Sequence, residues 1–179
     1  MLSVKQLLSA TRATHPNIIN NARSVRLNFS PAAEVEDDDG DLYREIKAIG
    51  RGNTIPREIT LRLYGKRGPE SLAWVSCTCE WFLYHCEVAL WAKRSSDIEY
   101  SNGFKPEITN PRMVPLVCKH IAAAFMQGAA NMVPSRKVQS KAPPVKKVPE
   151  KKATTSPTKK TPAAPAAPKG PPKIKRPGE

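Results

Sequence analysis

Residues 72–79 read Leu-Ala-Trp-Val-Ser-Cys-Thr-Cys, and residues 118–124 read Cys-Lys-His-Ile-Ala-Ala-Ala. The first stretch begins as a strand of bulky residues and ends on two cysteines spaced by two. The second begins with a cysteine and a histidine at the same spacing and continues into small and apolar residues suited to a helix. At a strand end, side chains i and i+2 face the same way, so Cys77 and Cys79 reach toward one point. Where a helix begins, free amide groups and the positive end of the helix dipole favour a thiolate, which suits Cys118. Cys77, Cys79, Cys118 and His120 then make a closed tetrahedral zinc site, with about 2.3 Å to sulfur and about 2.0 Å to nitrogen. Such a site has no open position for substrate or activated water, and its use is to tie the strand end to the helix. Four unrelated core residues would have no need of the repeated spacing.

Working outward, three strand-like runs, 43–49, 58–64 and 72–77, are separated by the turn signals at 50–53 and 65–69. They predict an antiparallel meander. In the middle run Ile59, Leu61 and Leu63 alternate with Thr60, Arg62 and Tyr64, giving one buried face and one wet face. Gly50-Arg51-Gly52 lacks the third glycine and following helix of a nucleotide-binding turn, and reads as a turn. Residues 80–93, free of Gly and Pro, predict one mostly buried helix with Trp81, His85, Val88 and Ala92 on one side. Loop signals at Asn102-Gly103, Pro106 and Asn110-Pro111 lead to a final helix from Cys118 to about Gly128. Cys86 sits two helical turns beyond Cys79, about 10 Å away, and reads as a core thiol. His85 beside it diverges by about 100° around the helix, so the two do not form a nucleophile and base. The expected fold is α+β: a small antiparallel β-meander with two helices around a zinc site, followed by a disordered basic tail.

Residues 1–23 predict a helix and connection, with Val4, Leu7, Leu8 and Thr11 on one face. Residues 1–33, with Lys5, Arg12, Arg23 and Arg26 and no acid, also match a mitochondrial transit peptide, a minor alternative to a helix packed on the domain. Residues 24–29 read as a strand ended by Pro31. The acidic run 34–41 fails as a calcium loop: with Gly40 at the sixth position, Val35 and Ile46 would fall where carboxylates are required. It reads as a solvated loop. The zinc-binding domain is accordingly placed at 24–134.

From residue 135 to the end there are 13 Lys and Arg, only two acids, Glu150 and Glu179, and ten of the 18 prolines. No aromatic residue or cysteine occurs there, so residues 135–179 cannot bury enough apolar surface to offset chain entropy. The other 134 residues carry 16 basic and 14 acidic side chains, a net of +2 against +13 for the whole chain. The basicity therefore belongs to the tail. Its clusters, Lys146, Lys147, Lys151, Lys152, Lys159, Lys160, Lys173, Lys175 and Arg176, can neutralise nucleic-acid phosphates without reading bases. The alternative is a solubilising spacer. No apolar stretch is long enough to span a bilayer and no secretory signal is evident, so an intracellular, cytoplasmic and reducing setting is expected. No membrane or small-molecule partner is expected.

The order C-x-C then C-x-H, with the second pair in the context Cys118-Lys119-His120-Ile121-Ala122-Ala123, resembles the SWIM-type zinc finger. The resemblance covers about residues 72–128. It implies that Cys77, Cys79, Cys118 and His120 ligate zinc in a module for DNA binding or protein contact. The 38 residues between the two pairs exceed the spacing of compact members. The run from Tyr100-Ser101-Asn102-Gly103 through Thr109-Asn110-Pro111 to Cys118-Lys119-His120 is also similar to uncharacterised SWIM-like proteins of tailed bacteriophages. Together these readings point to a non-catalytic zinc module whose basic tail contacts nucleic acid, or to a structural component of a phage particle packed against virion subunits.

Overall fold

The alternating runs do become strands. In the computed structural model, which describes residues 1–37, 39–50 and 55–138, strands β4 (Leu42–Gly50), β5 (Arg57–Tyr64) and β6 (Leu72–Cys77) form an antiparallel meander. Ile46 pairs with Leu61 and Leu61 with Val75, and all three are essentially inaccessible to solvent. Period-2 alternation thus places one continuous apolar face toward the helices. On the opposite face the Arg62 guanidinium lies 4.2 Å from the Trp74 ring centroid and 5.6 Å from that of Tyr43. Between those rings, Arg62 Nε is buried without a hydrogen-bond partner among the described residues.

The sheet is larger than a three-stranded meander. Among the described residues it has seven strands in the order β1-β6-β5-β4-β3-β7, with β2 also on β4. Here β1 is Leu2–Ser3, β2 Leu27–Phe29, β3 Ala33–Glu36 and β7 Arg136–Val138. β2 lies beside Ala48–Gly50 and β3 beside Leu42–Glu45, and Pro31, which has no N–H to donate, stands between them. The solvated loop expected at 34–41 is corrected by β3. Ala33 and Val35 alternate inward, and the chain turns back only after β3, where Asp37 Oδ1 accepts from the N–H groups of Asp39 and Asp41. β7 pairs parallel to β3, so the sheet continues past residue 134 into the segment that composition assigned to the tail. Residue 38, residues 51–54 of the expected turn and residues 139–179 lie outside the described residues.

Among the described residues there are five α-helices, where an N-terminal helix and two around the site were expected. α1 (Val4–Thr14) starts in a capping box: Ser3 Oγ accepts from Gln6 N–H, and Gln6 Oε1 accepts from Ser3 N–H. Its Val4 and Leu7 enter the core together with Ile19 and Ala22 of α2 (Pro16–Ala22), so residues 1–23 are built into the domain. The single helix expected over 80–93 is two, α3 (Glu80–His85) and α4 (Glu87–Trp91), out of step at Cys86 (φ −112°, ψ −48°). The break re-phases the buried side to Phe82, Cys86 and Glu87–Leu90, and Ala92 is exposed. α5 (Lys119–Met126) lies in the core and ends before Gly128, whose φ of +91° suits only glycine without strain. No helix among the described residues is long and apolar enough to cross a membrane.

Candidate metal centre

Each of the four expected ligands is delivered by the end of a secondary-structure element. Cys77 is the last residue of β6, Cys79 caps α3, Cys118 precedes α5, and His120 lies in the first turn of α5. The side chains converge. All four are buried, and their ligand atoms lie within 4.8 Å of one another. Cys77 Sγ is 3.9 Å from His120 Nδ1. Two sulfurs on one tetrahedral zinc are about 3.8 Å apart, so the donors need only a small contraction to share an ion.

Thr78, between the first two cysteines, is fixed to the start of β5. Its N–H donates to Glu58 O (3.1 Å), its Oγ1 accepts from Glu58 N–H (3.0 Å), and its carbonyl accepts from Arg57 Nη1 (3.1 Å). Val117, next to Cys118, donates its N–H to Thr11 Oγ1 at 2.9 Å, so α1 positions the second pair. Gly50 makes room for the imidazole. A Cβ there would stand 3.4 Å from His120 Cδ2 and 3.1 Å from Leu27 Cδ2.

The electrostatics of the four side chains fit a cation. Burial first, and then its cysteine neighbours, push the Cys118 thiol well above its ordinary value. Cys118 also makes no side-chain cap bond, whereas Cys79 Sγ accepts from Phe82 N–H at 3.4 Å. Cys79 is driven far down, by hydrogen bonding from Cys118 first and Cys77 second, with His120 and the Phe82 amide adding to it. For Cys77 the hydrogen bond with Cys118 pulls downward, but the bond with Cys79 and burial outweigh it, and the thiol is held well up. One negative charge is therefore drawn to Cys79 while its neighbours keep their protons. Three adjacent thiolates require a metal cation between them, and the donor set fits one.

No family model, curated protein or solved structure matches this chain.

Several supporting residues carried no sequence signal. Glu87, 1% exposed, accepts backbone N–H bonds from Glu99 (3.0 Å), Tyr100 (3.1 Å) and Ser101 (2.7 Å), fixing the chain after α4. Asn110 Nδ2 donates to the carbonyls of His85 and Val114, both at 2.8 Å, while its Oδ1 accepts from Val114 N–H. Cys86 is buried in the core and lies outside the four-donor cluster. His85 stacks on Trp81 at 4.4 Å, with Nδ1 3.2 Å from Trp81 O, and burial first lowers its pKa. The tail cations from Lys146 to Arg176 lie outside the described residues.

Proposed function

We propose that this protein is a non-catalytic zinc module of the SWIM type that contacts nucleic acid, with its basic tail supplying sequence-independent attraction. The observation that carries this reading is the convergence of Cys77, Cys79, Cys118 and His120, four buried donors from two spaced pairs. Three soft sulfurs and one imidazole suit zinc, and four protein donors complete its shell. Zinc would supply charge neutralisation and a crosslink between the end of β6 and α5, without a vacant position for chemistry. The tail's 13 Lys and Arg support the nucleic-acid half of the reading.

The test has two parts. Protein purified without added metal is expected to hold one zinc per chain by elemental analysis, and a variant lacking Cys77 and Cys118 to hold none. Full occupancy in that variant would sink the assignment. Affinity for unrelated duplexes is expected to be similar and to fall steeply with salt, and deletion of residues 139–179 to remove most of it.

A second reading, a structural subunit of a phage particle or other large assembly, is favoured by one observation. Tyr84, Tyr100, Phe104 and Ile108 line one surface groove and are 50–93% exposed, an apolar patch of the kind that marks protein contact. Stoichiometric recovery in a large particle, with no nucleic-acid affinity in the free chain, selects this reading over the first.

A further inference from the structure

A domain of net charge +2 has too little charge for nucleic acid unless its basic groups cluster. They do cluster, at the end of the sheet opposite the metal centre. A surface cavity of about 920 Å³ is walled by the start of β4, the turn after β5 and residues 133–135, and contains Arg44, Lys66 and Arg67 against one carboxylate, Glu34. Gly50, beside His120, lies six residue steps along β4 from Arg44, roughly 20 Å. The two sites are therefore independent pieces of surface.

The cationic wall has a fixed part and a reaching part. Arg44 is 6% exposed. Its Nη1 donates to Ala130 O (2.9 Å) and Met132 O (3.4 Å), and its Nη2 to Ser71 Oγ (3.0 Å). These bonds hold the guanidinium at the cavity wall and leave two of its five N–H groups uncommitted. Lys66 and Arg67 stand exposed on the neighbouring turn, which Gly65 (φ +73°) and Gly68 (φ +111°) allow to fold back. The ion pairs Lys5–Glu70 and Lys47–Glu45 involve neither, so both are unpaired among the described residues. Arg44 is lowered by burial first and by the charge of Arg67 second, so two like charges share this wall, where three cations stand against the single carboxylate Glu34. Ser135 of the wall is followed in sequence by the lysine-rich segment.

We infer that this groove seats the phosphodiester backbone of a nucleic acid, with Lys66 and Arg67 contacting phosphates and Arg44 forming the fixed cationic floor. The inference rests on the nucleic-acid reading above and gives it a contact surface on the folded domain. Phosphate oxygens would accept from the forked guanidinium of Arg67 and the point charge of Lys66, and would relieve the repulsion between Arg44 and Arg67.

The test uses the full-length, zinc-loaded chain and a labelled duplex of arbitrary sequence, titrated across a salt series. In the Lys66→Glu/Arg67→Glu variant the slope of log affinity against log salt is expected to become shallower by about 2, with affinity down about tenfold or more. A Lys105→Glu/Arg112→Glu control, with the same charge change on an exposed loop away from the groove, is expected to move much less. Zinc content reports the fold. Should the first variant lose zinc, Lys66→Ala/Arg67→Ala is expected to give the same loss of slope. If groove and control variants fall equally while tail deletion abolishes binding, the groove is overturned and the tail reading stands. If the wild-type chain binds no duplex, both fall. If it binds only an acidic peptide, the groove's ligand is a protein and this assignment is wrong.

Discussion

The meander of residues 42–77 and the connection of residues 78–118 share one core but are held in different ways. In the meander, β5 pairs with β4 over eight consecutive residues and with β6 over six, and every second side chain turns inward. The connection has two short helices, and its remaining order comes from single polar side chains reaching backbone. Thr78 reaches β5, Glu87 reaches 99–101, Asn110 reaches His85 and Val114, and Thr11 reaches Val117. A ladder loses little when one rung is removed. A chain held at isolated points loses a whole segment with each, which is where a crosslinking metal adds most.

The largest expected effect is therefore metal removal. Structural zinc in small fingers is worth on the order of 10–16 kcal/mol of apparent binding free energy, which is also folding free energy. Chelation, or Cys79→Ala, is expected to abolish amide protection across 78–128 first, with the slowest-exchanging amides of β4 to β6 surviving longest. Hydrogen exchange read by mass spectrometry measures both regions in one sample. Equal, simultaneous loss in both would show that the contrast is false.

Glu87→Ala comes next. It removes a buried carboxylate from three backbone N–H groups and leaves them without that acceptor, at about 1–3 kcal/mol for an orphaned donor. A cost of about 3 kcal/mol in urea denaturation is expected, with the earliest loss of protection at 99–101. A change below about 0.5 kcal/mol, the usual scale of a surface substitution, would mean that this loop is held by something else.

What could be read from sequence follows the same divide. Ile59, Leu61 and Leu63 announce their face through period-2 repetition, and the paired spacings announce the four ligands, because both signals are local and repeated. The break at Cys86 was not legible, since residues 80–93 have helical composition throughout and only the inward turn of Glu87 re-phases the chain. Glu87 reads as one more acidic residue on a helix, and Asn110 as one more loop signal before proline. Their meaning lies in partners up to 25 residues away, which no window of pattern contains. β3 was hidden because its acids outweigh the short alternation of Ala33 and Val35. The basic groove draws Arg44 and Lys66-Arg67 from different elements, and net charge averages it away.

Gly50→Ala probes the boundary between the two regions, since Gly50 ends β4 and faces the candidate ligand His120. The added methyl would meet Leu27 at 3.1 Å and His120 at 3.4 Å, so both must give by a few tenths of an ångström. Overpacking of this kind costs about 1–3 kcal/mol. Weaker zinc retention in a chelator competition is expected along with that loss. A variant that loses stability but holds zinc as tightly as the parent would show that Leu27 yields and that Gly50 has no part in placing the imidazole.

The smallest effect is expected at Cys86, which stands at the joint of α3 and α4 and is fully buried beside the centre without belonging to it. Cys86→Ala removes one sulfur atom from a packed core and is expected to cost on the order of 1 kcal/mol, with one zinc per chain retained. Burial first, then the charges of Cys118 and Cys79, raises this thiol well above its ordinary 9.0. The sign of its pH effect follows. Above about pH 9 the unfolded chain releases this proton while the folded chain keeps it, so the thiol's contribution is complete below that pH and is lost as pH rises. Cys86→Ala should therefore flatten the alkaline limb of the stability profile and leave the acid limb, where the proposed zinc ligands would protonate, unchanged. Loss of zinc from this variant, or a shifted acid limb, would make Cys86 a fifth donor exchanging with the four and would erase the distinction between a core thiol and a ligand.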